Sequence, residues 1–131
     1  MHSMDYSFDK DWTLFLDRDG VINERLVGDY VKKPEEFRFI SGVPEAIAAL
    51  SEVFGRIVIV TNQQGIGKGL MTEEDLQEIH GFMMNDIRDA GGRIDAIYFS
   101  PHLEHEKSRM RKPGVGMALH AQQDFPEIDF S

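Results

Sequence analysis

Apolar residues occur along this chain in short blocks whose period switches between that of a strand and that of a helix. Leu14-Phe15-Leu16 is a brief apolar run that stops at Asp17-Arg18-Asp19-Gly20, the pattern of a strand that ends in a turn. Residues 21 to 40 show no period and are punctuated by Gly28-Asp29-Tyr30 and Lys32-Lys33-Pro34, so they predict a loop or small flap over that strand end. Val43, Ile47, Leu50 and Phe54 then recur at helical spacing, with Pro44 suited to a first turn and Gly55 as the stop. Ile57-Val58-Ile59-Val60 is a continuous β-branched run, as expected of a strand buried on both faces in a parallel sheet, and it ends at Thr61-Asn62. The Gly-rich segment from Gln63 to Gly69 predicts a loop. Thr72 then caps a second helix with Leu76, Ile79, Met83, Ile87 and Ala90 on one stripe, closed by Gly91-Gly92. Ala96-Ile97-Tyr98-Phe99 predicts a third strand, followed by a charged loop over 100 to 112 and a short helix from about Gly116 to Asp124. Strands alternating with helices in this way predict an α/β fold on a parallel sheet, assembled from right-handed βαβ units.

Composition sets the limits. The chain has 131 residues, 41% of them hydrophobic, which predicts a single domain over 1–131, near the small end for a doubly wound fold. Fourteen Lys and Arg against 23 Asp and Glu leave a formal charge of −9, which argues against non-specific binding to nucleic acid or to an anionic membrane. A phosphate ligand would therefore have to meet a local basic cluster. The absence of cysteine removes disulfides and thiolate zinc sites and fits an intracellular protein. There is no apolar run of the ~20 residues that a membrane span needs and no secretory leader, so a cytoplasmic location is expected. Met1-His2-Ser3 reads as an added leader ahead of a start at Met4.

The candidate chemistry lies at the first strand end. Residues i and i+2 of an extended segment point the same way, so Asp17 and Asp19 can converge on one spot at the carboxyl end of the strand, where open α/β sheets bind ligands. Hard oxygen donors that leave room for waters and a substrate phosphate suit Mg²⁺, and a carboxylate beside the ion can attack phosphorus. The same D-x-D-G string also occurs in ordinary surface turns, and taken alone it admits both readings.

Three strings in order add to it: Asp17-Arg18-Asp19-Gly20-Val21-Ile22-Asn23, Val60-Thr61-Asn62-Gln63 and Arg111-Lys112-Pro113. Together they resemble the first three motifs of the haloacid dehalogenase-like (HAD) phosphatases. The branch they resemble most contains D-glycero-D-manno-heptose 1,7-bisphosphate phosphatase and histidinol phosphatase, and the similarity runs from about Leu14 to Met117. The resemblance implies a three-layer α/β sandwich with a Rossmann-like parallel sheet, and an Mg²⁺-dependent phosphatase that works through an aspartyl-phosphate. Asp17 would be the nucleophile and a metal ligand. Asp19 would be the general acid and base, with its backbone carbonyl on the metal. Thr61, Asn62 and Gln63 would bind the phosphoryl group and substrate, Lys112 would neutralise charge near Asp17, and Arg111 would contact substrate.

The intervals between Asp17, Thr61 and Lys112 are already filled by one helix, one strand and loops, so the resemblance implies a capless enzyme. Its specificity would be set by loops 24–34, 63–70 and 100–111. Lys68, Arg109 and Arg111 are candidates for gripping a second anionic group, with Arg111 preferred. The branch's zinc loop uses Cys and one His; here residues 100–110 keep His102 and also carry His105 but have no cysteine, so no structural zinc is expected. The superfamily's fourth strand, with further Mg²⁺ ligands, would begin where this sequence stops, and Asp124 and Asp129 do not match its motif. The C-terminal strands are thus expected to be missing, exposing the edge beside the first strand. The substrate implied is a small phosphorylated metabolite, a heptose bisphosphate by preference and histidinol phosphate next. A catalytically silent phosphate-binding module is the alternative from another class.

Overall fold

The structure, a computed structural model, describes residues 11–101, 121–126 and 128. Three strands, β1 (Thr13–Leu16), β2 (Arg56–Asn62) and β3 (Ala96–Ser100), form one parallel sheet in the order β1-β2-β3. Thr13 pairs with Arg56 at the start of the first ladder, and Asn62 pairs with Ser100 at the end of the second. Helices α1 (Val43–Val53) and α3 (Glu73–Asp89) follow the predicted punctuation, and between them lies a single turn, α2 (Gln64–Gly67), with a 3-10 turn at Pro34–Glu36 ahead of α1. Two departures from the sequence reading concern boundaries. The segment read as a loop from Gln63 to Gly69 contains the single turn α2, and Ala90 lies just past α3 as its C-cap. Of the short helix expected from about Gly116 to Asp124, residues 121–124 are helical and the rest lies outside the described residues.

Right-handed crossovers that advance across a sheet in one direction place their helices on the same face. Consistent with that, α1 and α3 share one core, in which Ile47 of α1 and Leu76, Ile79, Met83 and Ile87 of α3 pack with Ile57 and Ile59 of β2. The alternate residues of β2 serve the opposite face, where Val58 and Val60 pack with Tyr98, Ala121, Phe125 and Ile128. Ile57, Val58 and Ile59 have no exposed surface, as the unbroken β-branched run requires. Helices on both faces make the three layers. The Tyr98 hydroxyl bonds the Asp124 carboxylate, and Arg56 lies over the Phe125 ring at 4.7 Å, so residues 121–125 are tied to β3 and β2. Burial, and then the Asp124 carboxylate, push the Tyr98 phenol up to about 12.

Helix α3 begins with a reciprocal cap: Thr72 Oγ1 accepts from the Asp75 N–H, and Asp75 accepts from the Thr72 N–H. Its far end meets α1 through Gly92, where an added Cβ would lie 3.0 Å from the Ala48 nitrogen. The predicted flap over 21–40 is folded down. Isolated bridges join Asn23 to Asp19 and to Phe39, and Ile22, Val31 and Phe37 are buried in the α1–α3 core. Among the described residues no strand pairs with the outer edge of β1. No helix among them is long and apolar enough to cross a membrane.

Candidate active site

β1 and β2 run parallel, with Leu16 at the end of β1 paired to Ile59 and β2 continuing to Asn62, so Asp17, one residue beyond β1, lies at the same end of the sheet as Asn62 and Gln63. A cleft of about 270 Å³ opens there. Asp17, Arg18, Asp19, Asn62, Gln63 and Gln64 line its sheet side, and Arg25, Leu26, Asp29, Tyr30 and Val31 of the flap line the other. Asp17 and Asp19, the two acids of the i, i+2 argument, both line the cleft.

The two carboxylates differ in setting. Asp17 is exposed, and its Oδ1 accepts the Arg18 N–H at 2.8 Å. Asp19 is half-buried and held on both oxygens. Its Oδ1 accepts from Arg18 Nη2 at 2.7 Å and Asn23 Nδ2 at 3.0 Å, and its Oδ2 accepts from Gln63 Nε2 at 3.1 Å. Three donors on a carboxylate fix its plane. The turn that follows makes this possible. Gly20 takes φ +88°, a left-handed value that glycine adopts without strain, and its N–H bonds the Asn23 carbonyl at 2.8 Å, bringing Asn23 back under Asp19.

The β2 residues divide by depth. Asn62 is half-buried on the cleft wall. Thr61 is fully buried and does not line the cleft; its Oγ1 accepts from Gln63 Nε2 at 2.9 Å. Gln63 is itself almost completely buried, so its amide bridges Thr61 and Asp19. Its main-chain N–H bonds the Ser100 carbonyl at the end of β3 at 2.8 Å. Lys112 and Arg111, and with them Arg109, His102 and His105, lie outside the described residues.

Lys68, expected to grip an anion, sits outside the cleft lining. Its Nζ donates to the Tyr30 hydroxyl at 2.8 Å and lies 5.2 Å from that ring's centre, so it ties loop 63–70 to loop 24–34. The exposed cation that does line the cleft is Arg25, which the sequence reading did not single out. It lies in an aperiodic stretch where only its charge, in an acidic chain, marks it.

Beneath the cleft, Arg18 is fully buried and reaches His80 of α3, with Nη1 3.1 Å from the imidazole Nε2. Burial, and then the Arg18 charge, lower the His80 pKa to about 3, so the ring is neutral. Arginine can only donate, so Nε2 accepts and the proton of the neutral ring is on Nδ1. Only its place between the two acids marked Arg18 in the sequence; its side chain borders the cleft at Asp19 and reaches α3 at His80.

A family model described as polynucleotide kinase 3 phosphatase matches residues 6–130. Among curated proteins, the chain is 40% identical over 118 residues to a D-glycero-alpha-D-manno-heptose-1,7-bisphosphate 7-phosphatase of Mycobacterium bovis, a match covering 90% of this chain and 62% of that protein. It is 42% identical over 125 residues to a D-glycero-beta-D-manno-heptose-1,7-bisphosphate 7-phosphatase of Vibrio cholerae, covering 90% and 66%. The solved structure of D,D-heptose 1,7-bisphosphate phosphatase from B. bronchiseptica, complexed with magnesium and phosphate, superposes with a TM-score of 0.82 at 34% identity, covering 88% of this chain and 64% of that one. The chain spans less than two thirds of the length of each of these relatives.

Proposed function

The chain belongs to the polynucleotide kinase 3 phosphatase family within the HAD superfamily, and from that premise we propose that it carries the catalytic site of a Mg²⁺-dependent phosphatase acting through an aspartyl-phosphate on Asp17. The observation that carries this is the pairing of an exposed Asp17 with an Asp19 held by three donors in one cleft. The Asp17 carboxylate attacks phosphorus in line. As the Asp17–phosphorus bond forms and the ester bond breaks, Asp19 gives its proton to the departing oxygen. Water then attacks the phosphoenzyme, Asp19 takes the water's proton, and phosphate and free Asp17 result. Asn62 stands on the wall to hold the phosphoryl group, and Gln63 acts through Asp19 and Thr61.

The donor set fits Mg²⁺. The described residues hold no group of three His, Cys, Asp or Glu, but Mg²⁺ keeps waters and takes one or two carboxylates plus substrate oxygens. The exposed Asp17 carboxylate is such a ligand. Asp19, with both carboxylate oxygens accepting hydrogen bonds, would contribute its backbone carbonyl. The ion, when bound, neutralises charge on the phosphoryl oxygens. Lys112 would add to that neutralisation, and Arg111 would contact the rest of the substrate.

A D-glycero-D-manno-heptose 1,7-bisphosphate, hydrolysed at its 7-phosphate, is the substrate we favour, on the strength of the relatives' names. Relatives named for the alpha and for the beta sugar match about equally well, so both anomers belong in the assay. Histidinol phosphate is the alternative metabolite, and cytoplasmic metabolism is the setting this reading needs. The family's description favours a second reading, removal of a phosphate from a polynucleotide end. The formal charge of −9 opposes it. Phosphate release by the full-length protein from both heptose bisphosphates, histidinol phosphate and a 3′-phosphorylated oligonucleotide, with and without Mg²⁺, decides among them, with Asp17→Asn as control. Release from a heptose bisphosphate that needs both Mg²⁺ and Asp17 is the expected result. Binding without release from any substrate would turn the site into a phosphate-binding module.

A further inference from the structure

We propose that Arg18 and His80 form a buried positioning pair that fixes the Asp19 carboxylate for proton transfer to the leaving oxygen, a role that rests on the phosphatase reading. The pair begins with a burial problem. The Arg18 side chain is 1% exposed, and a buried guanidinium costs several kcal/mol unless its charge and donors are matched. Asp19 supplies the charge, at 2.7 Å, while its own side chain stays 29% exposed toward the cleft. His80 supplies an acceptor on the far side, 3.1 Å from Nη1, and Phe37 presents its ring 5.9 Å from the guanidinium carbon. The fork therefore runs from a core helix to a cleft acid.

Its value lies in what anchors it. His80 is placed on the buried stripe of α3, between Leu76 and Met83 and beside Ile79, in a helix of 17 residues closed by a capping box. The Asp19 end sits in a turn that the flap's Asn23 completes. Without a far anchor the guanidinium could rotate away, and Asp19 Oδ1 would keep one side-chain donor of its two. A catalytic acid must hold its proton within hydrogen-bond reach of one substrate atom, and small misplacement is costly. A neutral ring is required here, because an imidazolium would present a second donor to a group that can only donate. The low His80 pKa agrees with that requirement.

The test separates proton donation from general damage by the choice of leaving group. An alkyl phosphate, such as the favoured sugar phosphate, needs its departing oxygen protonated, whereas p-nitrophenyl phosphate releases a stable anion. Compare kcat/KM, which reports steps through the first irreversible one, for full-length wild type, His80→Leu and His80→Gln, where glutamine restores an acceptor. The leucine variant should lose about tenfold or more on the alkyl phosphate and under about threefold on p-nitrophenyl phosphate, with the glutamine variant within roughly threefold of wild type on both. If leucine prevents folding, His80→Ala carries the same comparison. Equal losses on the two substrates, or a glutamine variant as impaired as leucine, overturn the positioning pair alone. A wild-type enzyme that releases phosphate from neither overturns the phosphatase reading and the pair with it.

Discussion

Gly20→Ala isolates how the turn after the acid pair is made and what it holds in place. The φ of +88° puts an L-residue in the left-handed region at a cost of about 1–2 kcal/mol. The new Cβ would also lie 3.1 Å from Arg25 Cδ and 3.5 Å from Cγ. The shorter contact is tight by a few tenths of an ångström, but the neighbour is the flexible stem of an exposed arginine, so its displacement should cost under about 0.5 kcal/mol. The backbone term therefore dominates. At roughly 4 °C per kcal/mol for a domain of this size, the melting temperature should fall by about 4–8 °C. Gly20→Asn, which tolerates the left-handed region better, should lose less. In the double variant with Arg25→Ala the two effects should add to within about 0.5 kcal/mol, because little of the cost comes from the contact. Thermal unfolding of wild type, the three single variants and the double variant decides it. An unchanged melting temperature for Gly20→Ala, or full recovery when Arg25 is removed, would refute the assignment of the cost to the backbone.

Arg25→Ala should raise KM for a bisphosphate about tenfold, equivalent to ~1.4 kcal/mol, with kcat little changed and a monophosphate unaffected; a fall in kcat instead would place Arg25 on the reacting group. The His80 pKa is depressed from 6.5 to about 3, so between those values the unfolded chain binds a proton that the folded one does not. The stability His80 contributes is therefore present above pH 6.5 and is lost as pH falls toward 3, at up to ~1.4 kcal/mol per pH unit. Denaturant unfolding across that range should show a shallower decline for His80→Gln than for wild type, and parallel curves would contradict the shift. Gly92→Ala places a Cβ 3.0 Å from Ala48 N, 3.2 Å from Ala48 Cα and 3.1 Å from Ile87 Cγ2, two of the three being backbone that cannot swing aside. It should cost about 1–3 kcal/mol by denaturant unfolding, and a neutral result would mean that α1 and α3 can separate freely.

The regular elements were legible because one constraint dominates each of them. β2 must bury both faces, so its sequence from Ile57 to Thr61 is β-branched, and α3 must bury one stripe, so its apolar residues recur at helical spacing. The turn at α2 was not legible, since it depends on a tertiary contact. Gly65 is buried where a Cβ would meet Met71 and Tyr30 at 3.2–3.3 Å, and no local pattern reports that. In the site, Asp17, Asp19, Asn62 and Gln63 could be placed from strand ends alone. What strand ends do not give is depth. Thr61 and Asn62 are adjacent in one strand and so face opposite ways, which puts the Thr61 hydroxyl under Gln63 while Asn62 stands on the cleft wall.

On the phosphatase reading, the distribution of positive charge decides how this cleft would hold a phosphate ester in a chain of formal charge −9. The Asp17 carboxylate repels a dianion, so cations must be close, and fixed ones cost least to reorganise. Arg18 is close but committed, since its burial requires Asp19 as counter-charge. Lys68 is held on Tyr30 and joins two loops instead of facing the acids. Of the described basic residues that line the cleft, Arg25 is thus the exposed one. It lies on the flap with its stem beside Gly20, and on the phosphatase reading it is the side chain that would meet the second anionic group of a bisphosphate. On the phosphatase reading, neutralising the reacting phosphoryl group would then fall to Mg²⁺ at Asp17 and to Lys112. On that reading, attraction of the cleaved group depends on a metal that can be withdrawn, while the attraction exerted by Arg25 is built into the chain. Chelation should accordingly abolish phosphate release and leave a measurable affinity for the bisphosphate, and that residual affinity should disappear in Arg25→Ala. If instead the chelated wild type and the chelated variant bind equally, Arg25 is not the grip.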